Sequence, residues 1–153
     1  MPLPDDRPMV EIKNKLLREE LSYDVCELRR NNSASVPLLN TCQKKIYDRV
    51  MESISTNQQT LIFVYGHGST GKTFLWHSII NHIRSEGLIV LVVASSGIAS
   101  ILLPGGRTAH SRFKIPLAIN ENSTCEIKKN THLSRLIQMT TLIVWDEAPM
   151  NNR

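Results

Sequence analysis

The sequence predicts an α/β fold built on a parallel sheet, and three observations lead there. Three short apolar runs, Leu61 to Tyr65, Leu88 to Ala94 and Leu142 to Trp145, each have strand length. Their near-continuous hydrophobicity suits a sheet covered on both faces. A helical stretch of about Lys72 to Ser85 separates the first two runs, which makes strand, helix and strand a right-handed βαβ unit. Between the first run and that helix lies the glycine-rich segment Gly66 to Thr73, GHGSTGKT.

Each element has a local reason. Glu11 to Leu28 reads as helix, because Ile12, Leu16, Leu17, Leu21 and Leu28 recur at three- and four-residue spacing. Asn31 to Pro37 is a polar break. A boundary is placed there, with a helical N-terminal extension and linker over 1–36 and the main domain over 37–153. A second helix runs from about Thr41 to Ser55, with Ile46, Val50 and Ile54 on one stripe and Asn40 as its cap. Thr56 to Gln59 is a polar turn, and Glu86-Gly87 ends the third helix. Short helices and loops fill the stretch between the second and third apolar runs, broken at Pro104-Gly105-Gly106 and at Pro116.

Composition bounds the class. A chain of 153 residues is one domain's worth, and 41% hydrophobic with 21% charged residues is neither a disordered nor a fibrous make-up. The longest apolar run, Leu88 to Ala94, is far short of the ~20 residues of a membrane span. The start, MPLPDDRP, lacks the basic end and apolar stretch of a signal peptide. Cys26, Cys42 and Cys125 are an odd, scattered set that suits a reducing compartment. Eighteen basic residues against 14 acidic give +4. Residues 1–40 carry six basic and seven acidic side chains, and 41–153 carry twelve and seven, so the positive excess sits on the later part. A polyanionic partner is allowed by this charge, not demanded.

GHGSTGKT matches the phosphate-binding loop G-x-x-x-x-G-K-[ST], with the strand before and the helix after that this loop needs. Glycines let backbone N–H groups close on phosphate oxygens, and the helix points its positive end at them. Lys72 reaches the β- and γ-phosphates and Thr73 offers a hydroxyl to Mg²⁺. Asp146 and Glu147 end the third apolar run. Beside a phosphate loop, one such carboxylate holds Mg²⁺ and the other orients or deprotonates the attacking water. Gln43 has an amide able to read an adenine edge, but its spacing from Asn40 is that of a capping box, and spacing alone favours the cap.

Other side chains are less telling. His77 and His82 lie five apart, the wrong spacing for one helix face, and the cysteines lack a paired zinc spacing, so no zinc is expected. Arg107, Arg112 and Lys114, beside Thr108, His110 and Ser111, could neutralise phosphates of a nucleic-acid strand, or be solvated surface. Lys128-Lys129 reads as a solvated face. A GTPase would show N-K-x-D and a D-x-x-G after the third strand, and neither is present.

The segments GHGSTGKTFLW, VASSGIASILLPGGRTAHSRFKIP and LIVWDEAPMNNR together resemble the petite-integration-frequency (Pif-type) DNA helicases, particularly their plant and Helitron-transposon branch. The likeness is continuous from about Leu39 to Arg153, and Val10 to Arg30 resembles the extension that precedes the core in plant members. The resemblance implies a P-loop NTPase with a RecA-like sheet and an ATP-driven motor that unwinds DNA 5′→3′. It implies roles in DNA repair, recombination and telomere maintenance, with ATP and Mg²⁺ as cofactors and single-stranded and duplex DNA as partners. It implies a nuclear location, with a mitochondrial copy as the alternative.

Residue by residue, the resemblance gives Gln43 the recognition of adenine, against the reading from spacing. It gives Gly66, His67, Gly68, Ser69, Thr70, Gly71, Lys72 and Thr73 the phosphates. Thr73 and Asp146 take the metal, and Lys72, Asp146 and Glu147 the catalysis. Ser95, Ser96 and Gly97, with Thr108 and His110, match segments that lie along single-stranded DNA. Ser69 stands where this family has glycine, and if that position takes a positive φ the serine costs about 1–2 kcal/mol.

The chain stops seven residues after Asp146. The family's second motor domain, and the arginine that contacts the γ-phosphate, therefore fall outside it. In RecA-like sheets a later strand inserts between the Asp-Glu strand and the phosphate-loop strand. The expectation is thus an incomplete sheet with unpaired backbone at that gap. The alternative reading is a catalytically inactive remnant that binds nucleotide weakly or not at all.

Overall fold

The computed structural model describes residues 14–67 and 70–147. The elements in chain order are α1 (Lys15–Leu21), α2 (Val25–Ser35), a 3₁₀ turn (Val36–Leu38), α3 (Thr41–Ser55), α4 (Lys72–Ser85), β1 (Ile89–Ala94), α5 (Gly97–Ile101), β2 (Arg107–Thr108), α6 (Ala109–Phe113), α7 (His132–Met139) and β3 (Thr140–Asp146). The three strands form one parallel sheet in the order β2-β1-β3. This is an incomplete α/β P-loop NTPase architecture.

β1 is central and every residue in it is buried. Its side chains alternate between two apolar layers, as the pleat requires. Val90 and Val92 join Tyr47 and Val50 of α3, Leu75, Ile79, Ile80 and Ile83 of α4, and Val144 of β3. Ile89 and Leu91 join Leu17 of α1 and Leu136 of α7 on the opposite face. Burying a side chain such as Ile79 or Ile80 fully is worth about 1.5–3 kcal/mol. Helices therefore cover both faces, which explains the unbroken apolar run Leu88 to Ala94.

The helix starts follow from short polar side chains. Asn40 and Gln43 form a reciprocal capping box on α3. Asn14 caps α1, and its side-chain amide also donates to the His132 carbonyl at 3.0 Å, tying α1 to the start of α7. Glu11 to Lys13 of the expected single helix over Glu11 to Leu28 lie outside the described residues, and the rest of it is instead two helices. Asp24 accepts from the N–H groups of Cys26 and Glu27 and starts a new helix three residues after α1 ends. The polar segment from Asn31, expected as a break, remains helical to Ser35. Asn32 is half-buried there, and its amide nitrogen and the Tyr47 hydroxyl lie 3.0 Å and 2.8 Å from His82 Nδ1. Tertiary hydrogen bonding thus overrides the local preference of that segment for a turn.

The larger correction concerns Leu61 to Tyr65, which forms no strand. Leu61, Phe63 and Tyr65 are 99%, 70% and 83% exposed, while Ile62 packs against the α3–α4 layer. The alternation of a strand is present without the ladder. β3 pairs with β1 on one side only, and among the described residues no strand stands between β3 and this segment. Backbone groups without a neighbouring strand gain no ladder hydrogen bonds, so the βαβ unit expected from the first two runs is not closed. The two-residue strand β2 had no sequence signal, being too short to show a period.

Candidate functional site

The described part of the glycine-rich loop leads into α4, which shares its face of the sheet with α3. Gly71 caps α4 with φ of +75°. Only glycine takes that conformation without strain, and a Cβ there would also stand 2.5 Å from Gln43 Nε2. Gly71 offers no capping side chain, so the first-turn N–H groups of α4 remain for an anion. Lys72 folds back over the loop: its ammonium donates to the Gly66 carbonyl and, at 3.0 Å, to the His67 carbonyl. Thr70 donates to the same His67 carbonyl at 2.8 Å. A phosphate would replace these neutral acceptors with anionic oxygens, which bind an ammonium more strongly. Gly68 and Ser69 lie outside the described residues, and with them the expected strain at Ser69.

A cavity of about 410 Å³ opens beside this loop, lined by Asn40, Thr41, Gln43, Tyr65, Gly66 and Lys72 among others. Gln43 performs both roles that the sequence set against each other. Its Oε1 accepts the Asn40 N–H at 3.0 Å, completing the cap, and its Nε2 donates to the Gly71 carbonyl at 3.1 Å. A primary amide has two N–H groups and two lone pairs. One of each is left over, and Gln43 is among the residues that line the cavity.

A second cluster lies at the carboxyl ends of the strands. Ala94 of β1 is in register with Thr108 of β2 and with Asp146 of β3. Ser95 to Gly97, Thr108 to His110 and Glu147 therefore leave the sheet at one level. Ser95 Oγ donates to the Glu147 carbonyl at 2.8 Å, and Ser96 Oγ donates to the Glu147 carboxylate at 3.4 Å while capping α5. Glu147 holds φ of +56°, a conformation few non-glycine residues adopt. Thr108 caps α6 by accepting the Ser111 N–H at 3.3 Å.

The structure thus brings Gln43, Gly66, Thr70, Gly71 and Lys72 together, and separately joins Glu147 to Ser95 and Ser96. Thr73 is exposed in the first turn of α4, and Asp146 is half-buried at the end of β3. Neither lines the cavity. The basic cluster is dissolved: Arg112 is buried against Glu20 at 2.9 Å and Arg107 pairs with Glu19 at 3.4 Å, leaving Lys114 exposed. Burial lowers the Arg112 pKa, and the Glu20 carboxylate opposes that shift. The sequence offered no signal for these pairs, whose members are 88 and 92 positions apart. Asn40, Thr41 and Tyr65 were also missed as lining, because which side of a cap or loop faces a cavity is set by tertiary packing. Among the described residues, no group of three or more His, Cys, Asp or Glu side chains is placed to hold a metal, and no helix is long and apolar enough to cross a membrane.

Residues 38–153 match the PIF1-like helicase family. Among curated proteins, the chain is 31% identical over 93 residues to a protein of Trypanosoma brucei brucei named ATP-dependent DNA helicase PIF4. That alignment covers 58% of this chain and 11% of the trypanosome protein, so the chain spans about a tenth of that relative's length.

Proposed function

This chain belongs to the PIF1-like helicase family, and from that premise we propose that it is the ATP-binding part of an ATP-dependent DNA helicase. One observation carries the reading: Gln43, Gly66, Thr70 and Lys72 line one cavity at the uncapped N-terminus of α4. An amide for a base edge, a lysine for phosphates and free N–H groups for an anion are what a purine nucleoside triphosphate needs in one place. In this proposal, Gln43 reads adenine and the loop from Gly66 to Thr73 holds the phosphates.

Mg²⁺ suits the donors available, since the Thr73 hydroxyl and the Asp146 carboxylate are hard oxygen ligands. Bound there, the ion supplies charge neutralisation at the phosphates. Glu147 is the proposed base that takes a proton from the attacking water. Ser95 to Gly97 and Thr108 to His110, leaving the same end of the sheet, are the proposed single-strand track. The proposed reaction is hydrolysis of ATP coupled to 5′→3′ unwinding, in nuclear repair, recombination and telomere maintenance. The likeness of the three quoted motifs to Pif-type helicases supports this finer reading.

A second reading, nucleotide binding without hydrolysis, is favoured by two observations. Leu61 to Tyr65 stands outside the sheet, and Asp146 and Glu147 do not line the cavity that holds Lys72.

The test is a thermal melt of this chain with and without MgATP, beside Lys72→Ala, followed by phosphate release. Ligand at 100 times its Kd adds about 2.7 kcal/mol, so the wild type should melt higher with MgATP and Lys72→Ala should not. A shift with phosphate release supports the helicase motor. A shift without release supports binding alone. No shift in the wild type removes both.

A further inference from the structure

We propose that Glu20 is a positioning residue that fixes the 104–113 segment, and with it Thr108 and His110, through two buried arginines. This rests on the reading of Thr108 to His110 as part of a single-strand track. Glu20, Arg84 and Arg112 are 6%, 3% and 5% exposed, and they come from three different helices, α1, α4 and α6. Glu20 Oε1 accepts from Arg112 at 2.9 Å, and Glu20 Oε2 accepts from Arg84 at 3.5 Å. Arg84 in turn donates to the carbonyls of Pro104 at 2.8 Å and Val90 at 3.3 Å, and its guanidinium lies 4.2 Å from the centre of the Tyr23 ring.

Both ends of the 104–113 segment are therefore held by arginines that share one carboxylate. Pro104 is held by Arg84 at one end, and Arg112 lies four residues after Thr108 at the other. Gly105, at φ of +68°, passes so close to Tyr23 that a Cβ would collide with its hydroxyl and crowd Arg84 at 3.0 Å. Nearer the surface, Arg107 pairs with Glu19 at 3.4 Å. Two buried cations on one buried anion are not a cheap way to fill space, because apolar residues of similar volume are often as stable or more so. What the carboxylate adds is direction: a single acceptor pair that sets two planar guanidinium groups at once. Without Glu20, Arg112 loses its charged partner and, among the described residues, the side-chain bond that ties α6 to α1. Arg84 also lies in the last turn of the helix that starts at Lys72, so the same carboxylate touches the far end of the phosphate-loop helix.

The experiment compares the wild-type chain, Glu20→Gln, and the triple change Glu20→Leu, Arg84→Met and Arg112→Leu, which replaces the buried ions with apolar volume. Three quantities are read: hydrogen exchange of peptides covering 104–113, affinity for a fluorescent oligothymidylate, and affinity for a fluorescent ATP analogue. Expected are faster exchange confined to 104–113 and an oligothymidylate Kd raised about tenfold or more, with the Kd for the ATP analogue within about twofold of wild type. The triple variant guards against simple unfolding. It should melt as a folded domain, yet still exchange fast at 104–113 and bind the oligonucleotide weakly. Unchanged exchange in both variants overturns the positioning role. Oligonucleotide binding equal to wild type with fast local exchange confines Glu20 to holding the segment and overturns its link to DNA. A wild type that binds no oligonucleotide, yet binds the ATP analogue, sinks the single-strand track itself and leaves the exchange result to judge the positioning.

Discussion

Gln43 Nε2 donates to the Gly71 carbonyl at 3.1 Å, joining the first turn of α3 to the N-cap of the phosphate-loop helix. The same amide closes the capping box through the Asn40 N–H. Gln43→Ala should thus lose two hydrogen bonds at once, about 1–2 kcal/mol by melting. It should also weaken discrimination between ATP and GTP in competition binding. If the variant melts as the wild type does, the amide is not holding the two helices together.

Gly71 answers to the same contact from the other side. Gly71→Ala must place a Cβ at φ of +75° and 2.5 Å from Gln43 Nε2. The left-handed conformation alone costs about 1–2 kcal/mol, and the collision displaces Gln43 from its cap. The two substitutions should couple. Gln43→Ala with Gly71→Ala should destabilise by less than the sum of the singles, because the collision exists only when the glutamine is present. A strictly additive double mutant would place Gln43 elsewhere in solution.

The legible parts of this molecule were those written in local chemistry. The Asn40–Gln43 box, the helix from Lys72 and the middle of β3 follow from caps, an apolar run and a glycine motif within a few residues. The spacing argument and the family resemblance disagreed about Gln43, yet a residue whose amide has four bonding positions closes the cap and is also part of the cavity lining. Leu61 to Tyr65 misled because a strand is a property of two neighbours, and its apolar alternation says nothing about whether a partner stands beside it. Arg107 and Arg112 misled because a run of basic residues looks the same whether it faces water or a carboxylate from another helix. Glu20 carried no signal at all: its partners lie 64 and 92 positions away.

Tyr47 gives the molecule an alkaline limit. It is buried, and burial pushes its phenol pKa above the ordinary value, with the Asn32 contact and the Lys44 charge opposing. A raised folded-state pKa means that the stabilisation is complete below the unfolded value of about 10 and is lost as pH climbs through the folded value. Tyr47→Phe loses the hydroxyl bond to His82 and should be about 1 kcal/mol less stable at pH 8. It cannot ionise, however, so the gap between the two proteins should close above pH 10. Urea melts of both at pH 8 and pH 11 check this. A gap that stays constant would mean that the phenol ionises as easily folded as unfolded.

Leu17 tests whether the N-terminal helix is part of the core or only laid upon it. It is 1% exposed and packs with Ile89 and Leu91 of the central strand and Leu136 of α7. Leu17→Ala should leave a cavity on the face of the sheet opposite the phosphate-loop helix, at a cost of about 2–5 kcal/mol. Leu21, one turn later on the same helix, is 49% exposed. Its change to alanine should cost no more than about 0.5 kcal/mol, as surface substitutions do. The two variants make the same chemical change on the same seven-residue helix, so helix propensity cancels between them. The difference in their melting points reports burial against the sheet. Equal melting points would mean that α1 does not pack on β1 and α7, and Glu20 would then have no fixed place from which to hold Arg84 and Arg112.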